Sequence, residues 1–147
     1  MGFPDRIERT VQITRSVEAV WAALTTAEGL TSWFGEEAEI DLRTGGTLTL
    51  RWSSGDAVEM RVEKVEPPTL FALTWPVEGL PSGDPRRTYV EFTLRPVDGG
   101  TELRVVEHGF AQLPDETYES AYRSHSEGWT NELGELVEYL SDARATG

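Results

Sequence analysis

Cysteine is absent from the 147-residue chain, so disulfides, thiolate catalysis and thiolate metal sites are all excluded. Histidine is almost as scarce. The two present, His108 and His125, fall short of the three or four convergent ligands that a metal site uses. We therefore expect no metal and no cofactor. P-loop, dinucleotide, G-x-S-x-G and H-E-x-x-H motifs are all missing as well. Positive charge is sparse too: 13 Lys and Arg stand against 26 Asp and Glu, for a net charge of −13. Phosphates are neutralised by basic patches, so nucleic acid and anionic membrane surfaces are disfavoured as partners. The pair Arg86 and Arg87 in "GDPRR" does not make such a patch, and Pro85 removes a backbone donor from any phosphate cradle there. No apolar run reaches the roughly 20 residues needed to cross a bilayer. The opening "MGFPDRIERT" lacks the order of a signal peptide, and Arg6 stands where a myristoylation signal needs Ser or Thr. The expectation is a cytoplasmic protein whose charge serves solubility.

What the chain does have is aromatic side chains, 10% of residues, with five tryptophans. Its length suits one domain over 1–147, with a core of about 7–140 and a frayed tail "SDARATG" over 141–147. "RIERTVQI" (Arg6 to Ile13) alternates as a strand. Ser16 then reads as the N-cap of a helix carrying Val17, Val20, Trp21 and Leu24, and "TTAEGLTSWFGE" as a second short helix stopping near Gly35. From Ala38 onward the pattern is strand. "AEIDL" is followed by the turn "RTGG", in which Gly45 and Gly46 are expected to take positive φ. Leu48, Leu50 and Trp52 then alternate with polar residues, as do Val58, Met60 and Val62. "EPPT" ends that strand, because proline donates no ladder bond. Phe71, Leu73 and Trp75 share a face, as do Val90, Phe92 and Leu94, and then Leu103, Val105 and Glu107. About six strands joined by short turns predict an antiparallel meander with one apolar face.

Only the last helix is long enough to cover that face. Tyr118, Tyr122, His125, Trp129, Leu133, Leu136 and Leu140 fall on one side of it, with Ser124, Asn131, Gly134 and Glu138 opposite. Gly128 reads as a point where the helix closely approaches a strand or loop, at a cost of ~1 kcal/mol relative to alanine.

The motifs "VEAVWAALT", "SWF", "DLRTGGTLTLRW", "LTW", "GGTELRV", "HGF" and "GWTNELGELVEYL", taken in order over Ile7 to Leu140, resemble the START-like (SRPBCC) superfamily. Within it the chain is similar to the branch named for the C-terminal domain of the activator of Hsp90 ATPase. The resemblance implies an α+β helix-grip (START/Bet v 1-like) fold, a curved antiparallel sheet with two short helices and a long C-terminal helix over a central cavity. It also implies a hydrophobic ligand such as a lipid, polyketide or aromatic-like molecule. Two other roles follow from it: a chaperone- or partner-binding module related to the Hsp90 co-chaperone, and an enzyme acting on a hydrophobic small molecule.

Trp33, Trp52, Met60, Phe71, Trp75, Phe110, Tyr122 and Trp129 are the expected cavity walls, although each alone would also serve as ordinary core packing. Glu107 and His125 are the expected polar contacts for the ligand. They are also the candidate acid and base if any reaction is catalysed, against the plainer reading of a histidine bonded inside the core. As an exposed edge, Ala38 to Leu42 leaves both a monomer and a homodimer open.

Overall fold

The computed structural model describes residues 6–34, 36–55, 57–76, 87–110, 113 and 115–146, with the side chains of 75–76, 115–118 and 141–146 left aside. Strand β1 (Arg6–Ile13) buries Ile7 and Ile13 and exposes the residues between their phases, as its alternation predicts. Helix α1 (Val17–Thr25) starts where the Ser16 hydroxyl accepts the Ala19 amide at 3.2 Å. Thr26 ends α1 and caps α2 (Ala27–Trp33): its hydroxyl donates to Ala22 O at 2.7 Å and accepts the Gly29 amide at 3.0 Å. Gly29 permits the tight corner between the two helices, since a Cβ there would lie 2.5 Å from Ala22 O. The Trp33 indole is buried and donates to Ala23 O at 2.8 Å, pinning α2 onto α1.

Six strands follow: β2 (Glu37–Ile40), β3 (Thr47–Arg51), β4 (Ala57–Glu66), β5 (Leu70–Pro76), β6 (Arg87–Val97) and β7 (Gly100–His108). They form a meander, and β1 adds to its far side, giving a seven-stranded antiparallel sheet of order β1-β7-β6-β5-β4-β3-β2. The first strand therefore pairs with the last. The turn before β3 corrects one expectation. Gly45 does take a positive φ of 87°, whereas Gly46 does not. Gly46 is demanded instead by crowding, because a Cβ there would sit 2.2 Å from Asp41 O.

Helix α3 (Asp115–Thr146) lies over the inward face. Trp129, Leu133, Leu136 and Leu140 are buried, while Ser124, Asn131, Gly134 and Glu138 face solvent. The helix continues through 141–146, the segment expected to fray. Side chains of Arg9, Arg15 and Tyr122 tie one flank of α3 to β1 and the turn after it. Arg9 donates to Ser126 Oγ at 2.8 Å, Tyr122 to Arg6 O at 3.3 Å and Arg15 to Leu140 O at 3.2 Å. Among the described residues, no helix is long and apolar enough to cross a membrane.

Candidate functional site

Inward phase on β7 continues from Leu103 and Val105 to Glu107, so an acid enters the core where the pattern predicts an apolar residue. Its neighbour His108 points outward and is exposed. On the adjacent strand Val90 pairs with Glu107, which places Thr88 diagonally across on the same inward face. From above, α3 brings down His125 and Trp129, one helical turn apart. Three polar side chains converge on the single carboxyl group of Glu107. Thr88 Oγ1 lies 2.5 Å and His125 Nδ1 2.7 Å from Glu107 Oε2, and Trp129 Nε1 donates to Oε1 at 2.9 Å. Glu107 and Thr88 are 0% exposed, and the His125 side chain is 14% exposed.

Burying a carboxylate without partners costs several kcal/mol, and hydrogen bonds to each oxygen offset that cost. The bond at Nδ1 also fixes the imidazole plane and sends Nε2 to the ring's far side. Aromatic rings enclose the group. Phe110 meets His125 edge-on with centroids 5.5 Å apart and Tyr122 at 5.4 Å; Phe92 meets Trp129 at 5.7 Å. Phe34 lies 6.0 Å from Trp129 and stacks on Trp33 at 4.7 Å. An oriented imidazole beside a buried acid, inside an apolar shell, can anchor one polar group of an otherwise apolar molecule or move a proton on it.

The expected wall residues divide into three sets. Phe110, Tyr122 and Trp129 surround the Glu107–His125 pair, and Trp33 joins them through Phe34. Met60 and Phe71 are buried in the core, Phe71 against Trp21 at 6.2 Å and Phe92 at 6.0 Å. Trp52 lies half-buried just past the end of β3, and the side chain of Trp75 lies outside the described residues. Sequence reasoning missed Thr88, although its phase with Val90, Phe92 and Leu94 marks it as inward.

The close approach expected at Gly128 is absent among the described residues: a Cβ there would meet nothing within 4 Å. The flank of α3 that carries Gly128 also carries Glu132. Desolvation, with the charge and hydrogen bond of Glu135 adding to it, pushes the Glu132 carboxyl up to about 7. Its Oε2 is buried without a hydrogen-bond partner among the described residues.

One open cleft of about 330 Å³ lies elsewhere, between the α1–α2 corner and the end of α3, and none of the expected wall residues lines it. Its lining includes Arg15, Ala22, Glu28, Gly29, Tyr139 and Leu140. Among the described residues, no group of three or more His, Cys, Asp and Glu is placed to hold a metal ion.

The family model described as Activator of Hsp90 ATPase homolog 1-like protein matches residues 14–141. Among solved structures, the protein MLL2253 from Mesorhizobium loti is 28% identical with a TM-score of 0.80, covering 93% of this chain and 97% of that one. The Aha1 dimer from Colwellia psychrerythraea is 23% identical with a TM-score of 0.73, covering 92% and 95%. CalU16 from Micromonospora echinospora is 24% identical with a TM-score of 0.73, covering 99% and 85%. These structures share the helix-grip arrangement of sheet and C-terminal helix. Among curated proteins, none matches the chain.

Proposed function

This chain belongs to the activator of Hsp90 ATPase homolog 1-like family, and from that premise we propose that it binds a small hydrophobic molecule between the sheet and α3. One polar group of the ligand is held beside His125, with Glu107 setting the imidazole's orientation. The observation that carries this reading is the carboxylate of Glu107, wholly buried and held by Thr88, His125 and Trp129 within a shell of aromatic rings. A core selected for stability alone gains nothing from such a group, because well-packed apolar residues usually do as well or better. Entry is expected along the flank of α3 at Gly128, where a Cβ would meet nothing within 4 Å among the described residues, away from the flank tied to β1.

Fatty acids and polycyclic aromatics titrated into the purified protein should shift the tryptophan fluorescence, since Trp129 is bonded to Glu107. His125→Ala should weaken that binding about tenfold, the worth of one hydrogen bond to a charged group. A flat titration with every ligand class, together with nothing co-purifying by mass spectrometry, would defeat the reading.

A second reading is catalysis on the same molecule, favoured by the 2.7 Å contact between His125 Nδ1 and Glu107. It requires His125→Ala to abolish turnover while a bound ligand is retained. Partner binding is the third. The Colwellia neighbour is a dimer, so sedimentation of this protein over a range of concentrations, with and without an Hsp90 chaperone, tests for self-association and chaperone docking.

A further inference from the structure

The cleft between the α1–α2 corner and the end of α3 belongs to neither the aromatic shell nor the Glu107 cluster. Leu140 follows His125 by fifteen positions along one helix, which separates the two places by about 22 Å. At about 330 Å³ the cleft falls at the lower end of small-molecule sites, which begin near ~300 Å³. It is lined by Ala19, Ala22, Ala23 and Gly29 from the α1–α2 corner and by Tyr139 and Leu140 from α3.

Arg15 also lines the cleft and is fixed at both ends. Its carbonyl accepts the hydroxyl of the buried Thr101 at 2.8 Å, and its Nη1 donates to Leu140 O at 3.2 Å. That one bond is the guanidinium's only hydrogen bond among the described residues, so the rest of its planar fork is pre-organised to take a carboxylate in two parallel bonds. Glu28 also lines the cleft and is exposed and acidic, which disfavours phosphates and other polyanions more than a single carboxylate, because the repulsion grows with the ligand's charge. The Tyr139 ring together with the small alanine side chains suits an apolar ring system.

We infer that this cleft is a second binding site, for a small aromatic monocarboxylate, with Arg15 holding the carboxylate and Tyr139 lying along the ring.

The probe is 2-naphthoate, titrated into ¹⁵N-labelled full-length protein. The expected amide shifts centre on Ala19 to Gly29 and on Tyr139 and Leu140, and the uncharged isostere 2-naphthamide binds about tenfold more weakly. Arg15→Gln should lose the preference for the acid over the amide. Ala22→Trp, at an exposed position, should block both probes while leaving the thermal midpoint near that of the parent. His125→Ala should leave the 2-naphthoate affinity within about twofold, because one turn of α3 near its start does not reach the cleft. Shifts centred on Glu107 and Trp129, equal binding of acid and amide, or no shifts at millimolar probe would each overturn the assignment. Since the variants differ, failure here leaves the reading of the Glu107 site intact, and the reverse also holds.

Discussion

Glu107 turns three ordinary core side chains into one polar unit, and a single atom tests that unit. Glu107→Gln keeps the shape but replaces one acceptor oxygen with an NH₂ donor. With its carbonyl oxygen on Trp129 Nε1, the amide NH₂ faces Thr88 and His125, which accept it only if the hydroxyl turns and the imidazole carries its proton on Nε2. The opposite flip sets the NH₂ against Trp129 Nε1, which only donates. Rearranging the buried cluster or leaving one partner unsatisfied costs ~1–3 kcal/mol, so urea unfolding should show a loss of about 1 kcal/mol with an unchanged m-value. A loss below about 0.5 kcal/mol would mean that the cluster is not buried as drawn. Glu132 supplies a second test, in the pH dependence. Its carboxyl rises from the ordinary 4.5 to about 7 in the folded chain, so between those values the folded state binds more protons than the unfolded one. Stability therefore falls as pH rises through that window. Glu132→Gln carries no charge to desolvate, so its decline from pH 4.5 to 7 should be shallower, and the variant should be the more stable protein at pH 8. Parallel stability–pH curves for the two proteins would refute this.

The helices and turns sort their glycines into two kinds, and the sorting predicts opposite signs. Gly128 in α3 has open space where a Cβ would stand, so Gly128→Ala should stabilise by about 1 kcal/mol, the helix propensity difference between the two residues. Gly29 is the reverse: a Cβ 2.5 Å from the Ala22 carbonyl forces α1 and α2 apart, and Gly29→Ala should lower the thermal midpoint. Thermal melts of both variants check the pair, and a shift of the same sign in both would sink the argument. The contrast also shows where sequence reasoning stops. Strand phases, the Ser16 cap and the buried stripe of α3 were legible because each is written in a local period of two or 3.6 residues. Glu107 and His125 stood out as polar residues at apolar phases. Gly128 was misread because a missing side chain signals crowding or mere tolerance, and only the neighbouring element decides which. Thr88 and the cleft at Arg15 were illegible for a similar reason, since each depends on which residues of distant segments come to lie side by side.

The topology joins the two ends of the chain: β1 completes the sheet against β7, and the same strand clasps α3 through Arg9 and through the carbonyl of Arg6. The β2–β3 hairpin lies at the other edge of the sheet, six strands away in the order, and β2 is only four residues long. Cooperative units of exchange follow contiguous packing rather than sequence, so β1, β7 and the middle of α3 should open together. The β2 edge should open separately, and more readily. The Arg9 clasp is the lever for testing this. Its guanidinium reaches from the inward face of β1 to both Ser126 Oγ and Ser126 O, and removing it leaves α3 held on that flank mainly by its apolar stripe. Arg9→Ala should cost about 1 kcal/mol, the net worth of such a bond, and so speed amide exchange in β1 and in α3 around Ser126 about fivefold. Amides of β3 and β4, which do not depend on the clasp for their local opening, should exchange at the parent rate. Native-state hydrogen exchange read by NMR or mass spectrometry separates the two regions. Uniform acceleration across the sheet would show instead that the chain opens only as one unit, and that α3 cannot lift from the aromatic shell without unfolding the fold that carries it.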